Sequence, residues 1–245
     1  MLPLKRCARL VFNPQAPAAL RRLPRYVRDW RAWTRAGGGR LRLADAYPCL
    51  TDAVPHTPFD AHYLYQGAWL ARHLARRRPP VHVDVGSDVG VVSVLSAFVP
   101  VLCLDYRPLT AHLAGLRAVR ADLLRLPLAT RAVPSLSCLH VLEHVGLGRY
   151  GDPLDPDGPT RAARELARVV APGGALFLSV PVGRPRVCFN AHRVLAPEAV
   201  VELVRPLTLV EFAWVDDAGA LRGPAAPAAA AGAEYACGLY HFVAP

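Results

Sequence analysis

The sequence predicts a doubly wound α/β domain with a mostly parallel sheet and an antiparallel last strand, preceded by an N-terminal helical extension. Two observations predict this fold. Short apolar runs alternate along residues 60–245 with stretches of helical or turn-rich pattern, as parallel strands and their connections do. The chain then finishes in two apolar runs joined by an alanine-rich loop, which is typical of a closing hairpin.

The elements follow in order along the chain. Residues 1–59 are predicted to form the basic helical extension, with a helix around residues 18–35. The α/β domain is predicted over residues 60–245, and its first helix begins at the N-cap Asp60 and ends before Pro79. Further helices are predicted within residues 160–174 and 196–204. Strands are predicted at residues 81–85, 99–105, 134–141, 174–180, 207–217 and 235–244.

The composition is that of a globular protein. Of the 245 residues, 53% are hydrophobic and 20% are charged, which argues against intrinsic disorder. Six cysteines occur without a CxxC pair, so a zinc ribbon or a redox motif is disfavoured. No signal-peptide core or 18-residue uncharged apolar run is present, and we therefore expect a reduced, soluble, cytoplasmic protein without a membrane span.

The positive charge is concentrated near the N-terminus. Residues 1–80 hold 15 basic and 4 acidic residues, a net charge of +11, whereas residues 81–245 have a net charge of −1. Such asymmetry is compatible with a surface for nucleic acid or anionic membranes. The preferred interpretation is a solvated helical cap with an arginine-rich outer face.

Acidic residues end three successive predicted strands. In "HVDVGSDVG", Asp84, Gly86 and Gly90 lie where a strand meets a helix, and glycines there let a ligand approach the backbone. Asp105 ends the second strand, where its carboxylate could accept two ribose hydroxyls, and Asp122 follows the third, within reach of an adenine amino group. Solvated turns at the strand ends are the alternative. The spacing is DxGxxxG and not GxGxxG, which disfavours an NAD-dependent oxidoreductase.

The stretch "SCLHVLEHVGLGRYGDPLDPDG" at residues 137–158 gathers titratable groups after the fourth predicted strand. His140, Glu143 and His144 are spaced i, i+3, i+4, so one helical turn would direct all three into the same cleft. Three roles stay open for these groups: ordering of a loop, general base and metal ligand. The aspartates of "GDPLDPDG" do not fit the spacing of a calcium-binding loop.

With these motifs, residues 60–245 resemble the class I S-adenosylmethionine-dependent methyltransferases. The resemblance is carried by "DVGSDVG", "CLD", "RAD", "LEHV", "APGGALFLSVP" and the closing hairpin. It implies a Rossmann-like sheet of seven strands and S-adenosyl-L-methionine as methyl donor. By the same resemblance, Asp84, Gly86 and Gly90 lie on the methionine side, Asp105 holds the ribose and Asp122 the adenine.

Two narrower resemblances bear on the site. The opening stretch, "RVCFNAHRV" and "CGLYHF" are similar to a methyltransferase-like family catalogued only as a domain of unknown function, which implies no substrate. The spacing from His140 to His144 also resembles the ExxEH segment with which small-RNA 2′-O-methyltransferases and ubiquinone-pathway O-methyltransferases bind a divalent metal. In those families a further histidine follows the fifth strand, and His192 has that place here. Because a histidine replaces the first glutamate, a base site is preferred over a metal site.

The preferred function is therefore methylation of a hydroxyl on a small molecule or glycan, with His140, Glu143, His144 and His192 at the methyl end of the donor. In-line methyl transfer depends on orientation, and a weakly acidic hydroxyl also benefits from a base. Methylation of RNA is a second hypothesis, which the basic N-terminal third favours. A third is a non-catalytic protein that binds a nucleoside or a partner with the same fold. The oligomeric state stays open.

Overall fold

The structure is a computed structural model that describes residues 20–245. The chain divides into two compact units between Phe59 and Asp60. In the first unit, helix α1 spans Leu23–Arg35. Pro24 suits its first turn, because the backbone N–H that proline lacks would have no hydrogen-bond partner within the helix at that position. The predicted start of this helix, at residues 18–19, lies outside the described residues.

The second unit is built on one eight-stranded sheet. Its spatial order is β3-β2-β1-β4-β5-β10-β8-β9, with β1 to β5 parallel and β10 antiparallel to both of its neighbours. The strands are β1 His82–Val85, β2 Val101–Asp105, β3 Leu116–Arg120, β4 Val133–Leu139, β5 Val170–Val182, β8 Thr208–Val215, β9 Leu221–Arg222 and β10 Ala236–Val243. Strands β6 Arg186–Cys188 and β7 His192–Val194 form a separate antiparallel pair.

This topology confirms the predicted doubly wound α/β fold with an antiparallel last strand. The sheet has one strand more than the seven predicted, because the two-residue β9 pairs with the edge strand β8. Strand β5 also begins earlier than expected, at Val170, so that "APGG" lies within it. The register of β5 against β4 shifts there, and Gly173 has φ 69°, a conformation that glycine adopts at little cost.

Helices cover both faces of the sheet. Helix α2 (Ala61–Arg77) begins at Asp60, whose carboxylate accepts the Tyr63 amide at 3.2 Å as the N-cap prediction requires. Together with α3 (Val89–Leu95) it packs on one face, and α4 (Gly158–Val169) and α5 (Pro197–Leu203) pack on the other. Every residue of β1 is buried, as expected for a central strand of a covered parallel sheet.

None of the helices within residues 20–245 has both the length and the apolar character that a bilayer crossing requires.

Candidate functional site

The candidate site lies at the carboxyl ends of β1, β2 and β4. Because the chain order reverses at β1, which pairs with β2 on one side and β4 on the other, a crevice opens at this edge of the sheet. It holds a cavity of about 940 Å³, including the solvent at its mouth. Polar residues and glycines in its lining include Gly86, Asp105, Arg107, Asp122, His140, His144, Gly146, Tyr150 and Asp152.

Gly86 presents bare backbone to this cavity directly after β1. Its φ is 69°, and its amide donates to the Leu104 carbonyl at 2.9 Å. A Cβ at this position would come within 3.1 Å of Val141 Cγ1. The left-handed backbone conformation and the packing of Val141 therefore both favour glycine at this position.

Asp84 is fully buried and does not line the cavity. Its carboxylate accepts from the Ser87 amide at 3.1 Å, from Ser87 Oγ at 2.6 Å and from Ser137 Oγ. His82 continues this network, with its ring nitrogens 2.8 Å from Ser135 Oγ and 2.9 Å from Ser137 Oγ. Burial raises the pKa of Asp84 to about 6 and lowers that of His82 to about 4. The network ties β1 to β4 and orders the loop that carries Gly86.

Gly90 also lies outside the cavity lining, in the first turn of α3. The amides of Gly90 and Val91 both donate to Asp88 Oδ1, at 2.9 and 3.2 Å. This side-chain cap gives both amides a partner within the protein.

Asp105 and Asp122 both line the cavity, from the ends of the adjacent strands β2 and β3. Each carboxylate is oriented by a backbone amide two residues ahead. Asp105 Oδ1 accepts from the Arg107 amide at 2.6 Å, and Asp122 Oδ1 accepts from the Leu124 amide at 2.9 Å. The structure thus brings both carboxylates into the lining of one cavity.

His140, Glu143 and His144 meet at the end of β4, but not on one helical turn. His140 leaves the strand with φ 54°, and only Leu142–His144 form a short 3₁₀ turn. His140 Nδ1 lies 2.8 Å from Oε1 of the fully buried Glu143. Burial lowers the pKa of His140, but Cys237 and Glu143 together raise it well above its usual value.

His144 lines the cavity and is held in one tautomer when neutral. Its Nδ1–H donates to the Ala191 carbonyl at 2.6 Å, so Nε2 carries the lone pair. Glu143 Oε1 lies 3.6 Å from that Nε2. Burial lowers the pKa of His144, and the nearby Arg149 lowers it further, against the opposing effect of Glu143.

His192 is the fourth predicted residue and begins β7. It does not line the cavity, and its ring packs 4.9 Å from the Tyr235 ring. Its link to His144 runs through the backbone of the preceding Ala191, whose carbonyl also accepts from Arg149 at 2.9 Å. Glu143 therefore contacts both His140 and His144, whereas His192 lies beside them.

Sequence reasoning missed two residues that face each other in the cavity lining. The Arg107 guanidinium carbon lies 4.2 Å from the centroid of the Tyr150 ring, a cation–π contact. The loop that carries Tyr150 is ordered by Asp152, which accepts from the Gly146 amide at 2.8 Å and the Tyr150 amide at 3.2 Å. No motif marks Arg107 or Tyr150, because they are 43 positions apart and meet only in the folded chain.

Comparison with solved structures identifies the fold. The chain is similar to the N-methyltransferase NodS from Bradyrhizobium japonicum, solved with S-adenosyl-L-homocysteine, at 16% identity and a TM-score of 0.53, over 88% of this chain and 98% of that one. It is also similar to the Burkholderia thailandensis 1,6-didemethyltoxoflavin-N1-methyltransferase, at 16% identity and a TM-score of 0.54, over 95% and 91% of the two chains. A Haloferax volcanii complex of the Trm112 methyltransferase activator and a methyltransferase matches at 19% identity, a TM-score of 0.51, and 76% and 90% coverage.

These likenesses confirm the predicted fold, that of the S-adenosylmethionine-dependent methyltransferases. A family described as "Caenorhabditis protein of unknown function, DUF268" matches residues 132–218, a stretch that runs from β4 to β8 and includes His140, Glu143, His144 and His192. This agrees with the narrower resemblance drawn from the sequence. No curated protein matches the chain.

Proposed function

We propose that residues 60–245 form an S-adenosylmethionine-dependent methyltransferase that acts on a hydroxyl of a small molecule or glycan. One observation carries the proposal: a single cavity in this fold has two oriented carboxylates on one wall and a buried Glu143 beside a tautomer-locked His144 at the end of β4. Carboxylates that can accept hydrogen bonds from a nucleoside, together with a base in the same cavity, form an arrangement suited to methyl transfer to a hydroxyl.

The residues present fit the methyl donor. Asp105 offers carboxylate oxygens to the two hydroxyls of a ribose, and Asp122 offers an acceptor to an adenine amino group. Gly86 lines the same cavity directly after β1 and brings backbone without a side chain to it. When bound, S-adenosyl-L-methionine supplies an electrophilic methyl group on a sulfonium sulfur.

His144 is the base in this proposal. Its Nδ1–H is held by the Ala191 carbonyl, so Nε2 is the atom that takes the proton of the acceptor hydroxyl. Because its pKa is lowered, the imidazole is neutral at pH 7 and able to accept a proton. The imidazolium that forms has Glu143 Oε1 at 3.6 Å, and that buried carboxylate stabilises the new positive charge. His140 is less suited because its Nδ1 is already engaged by Glu143.

Calorimetry with S-adenosyl-L-homocysteine and a mass-spectrometric screen for methyl transfer test this function together. We expect the wild-type protein to bind the nucleoside and to methylate at least one hydroxyl compound in a glycan and metabolite panel. His144→Gln should bind the nucleoside with unchanged affinity and lose transfer by about 100-fold, the lower range for a general base. A folded wild-type protein without nucleoside binding would contradict the proposal.

Two other functions remain as hypotheses with distinct outcomes. Methylation of RNA is favoured by the net charge of +11 on residues 1–80. It would show as submicromolar, steeply salt-dependent RNA binding, because neutralised phosphates release counterions. A non-catalytic role would show as nucleoside binding without transfer to any acceptor. We expect neither result at physiological salt.

A further inference from the structure

A cluster of three potential ligands converges behind the cavity wall at His140. One ligating atom each from His62, His140 and Cys237 lies within 4.8 Å of the other two. The residues come from the start of α2, the end of β4 and the start of β10. We propose that these three side chains bind a zinc ion, at a site distinct from the base His144.

The buried groups of the cluster have unmet bonding capacity. The His140 side chain is only 5% exposed, and its Nε2 has no hydrogen-bond partner among residues 20–245. The sulfur of Cys237, itself fully buried, contacts the Gly238 carbonyl at 3.9 Å and also interacts with His140. Since buried polar atoms are nearly always paired, an unpaired imidazole nitrogen beside a buried sulfur points to a ligand bound between them.

The chemistry of the donors favours zinc over magnesium and calcium. Two imidazoles and a thiolate are ligands that zinc prefers, whereas magnesium and calcium require oxygen ligands. The ring centroids of His62 and His140 lie 5.3 Å apart, and two imidazoles on one tetrahedral zinc ion place their centroids about 5 Å apart. Three protein ligands leave the fourth position for water or a substrate atom, which is the pattern of catalytic zinc sites.

Glu143 would orient the zinc-binding His140 without binding the metal itself. Zinc-binding histidines usually donate their second ring N–H to a carboxylate, and His140 Nδ1 lies 2.8 Å from Glu143 Oε1. Glu143 Oε2 has no hydrogen-bond partner among the described residues, and a zinc-bound Cys237 would add a thiolate near this buried carboxylate. A dication between them offsets that charge.

This ligand set differs from the one suggested by the ExxEH resemblance and shares only His140 with it. His144 Nδ1 is engaged by the Ala191 carbonyl, and the His192 ring packs on Tyr235. Metal binding at the His62–His140–Cys237 cluster does not depend on methyl transfer, and so it can be tested without an acceptor.

The test is a titration of the metal-free full-length protein with Zn²⁺ and, as a spectroscopic probe, Co²⁺. We expect one zinc ion per chain with a Kd below about 1 µM. The cobalt protein should show the thiolate-to-metal charge-transfer band and the intense visible absorption of a tetrahedral site. Cys237→Ser should abolish the charge-transfer band, and His62→Asn should weaken zinc binding at least tenfold. His62 is half-buried at a helix start, so the second variant tests the site without a hole in the core.

Cys188→Ser is the matched control, because Cys188 is a half-buried free cysteine outside the cluster. It should leave the band and the affinity unchanged, and circular dichroism should show that all three variants are folded. Absence of a charge-transfer band in the wild-type protein, or zinc binding that His62→Asn leaves intact, would overturn the proposal. Calorimetry with S-adenosyl-L-homocysteine on the same preparation separates this failure from a failure of the proposed methyltransferase function.

Discussion

Asp105 provides the sharpest test of the nucleoside site, through the substitution Asp105→Asn. One carboxylate oxygen, Oδ1, accepts the Arg107 amide at 2.6 Å, and the amide oxygen of an asparagine can keep that bond. The other oxygen becomes an NH₂ group, which cannot accept a hydrogen bond from a ribose hydroxyl. The substitution therefore leaves the turn intact and removes an acceptor from the cavity wall.

The magnitude follows from the type of bond that is lost. A hydrogen bond to a charged acceptor contributes about 1.5–3 kcal/mol, so the Kd for S-adenosyl-L-homocysteine should rise about 10- to 150-fold. Calorimetry at constant ionic strength measures this change. Asp157→Asn is the control, since it makes the same change of charge at an exposed residue that does not line the cavity.

A double-mutant cycle with a ligand that lacks the ribose hydroxyls isolates the contact itself. For the S-adenosyl-L-homocysteine analogue without 2′- and 3′-hydroxyls, wild type and Asp105→Asn should bind within about twofold of each other. If Asp105→Asn folds normally and binds S-adenosyl-L-homocysteine as tightly as wild type, Asp105 does not hold the ribose and the assignment is refuted.

Three further predictions concern the loop, the base and the buried network. Gly86→Ala places a side chain at φ 69° and within 3.1 Å of Val141, so we expect a loss of about 1–2 kcal/mol in urea unfolding together with weaker nucleoside binding. The methyl-transfer rate should rise with pH through a pKa below 6.5, because His144 acts only when neutral and its pKa is lowered; a rate independent of pH between 5 and 8 would argue against this base. Ser137→Ala removes a partner of His82 within the core, and a destabilisation of about 1–3 kcal/mol by urea unfolding is expected, whereas unchanged stability would show that the network is not structural.

Much of the fold could be predicted because its signals are local. Continuous apolar runs such as residues 99–105 indicate a strand that is buried on both faces, and the N-cap Asp60 indicates where a helix begins. The acidic ends of the predicted strands could be read from the sequence, and the carboxyl ends of parallel strands meet at one edge of a sheet, where Asp105 and Asp122 line the cavity.

Other expectations about the site differ from the structure, because polar groups expected at the ligand form hydrogen bonds with neighbouring side chains. Asp84 was expected beside the ligand, but the hydroxyls of Ser87 and Ser137 draw its carboxylate into the core. Gly90 was likewise expected on the methionine side of the ligand, but it lies outside the cavity lining and its amide donates to Asp88. A polar side chain often has several possible hydrogen-bond partners within a few ångströms. Which of them it bonds to depends on its rotamer and its neighbours, and the sequence pattern does not encode these.

By itself, the sequence determined the alternation of strands and helices, the acidic strand ends and the polar stretch after β4, because these depend on the period and type of neighbouring residues. Only the tertiary structure decided that His140 leaves its strand in a left-handed conformation, that Arg107 packs on Tyr150, and that His62 meets Cys237 across 175 positions of chain. Such encounters depend on how α2, β4 and β10 pack against one another, and packing between elements distant in sequence leaves no periodic signal in either of them.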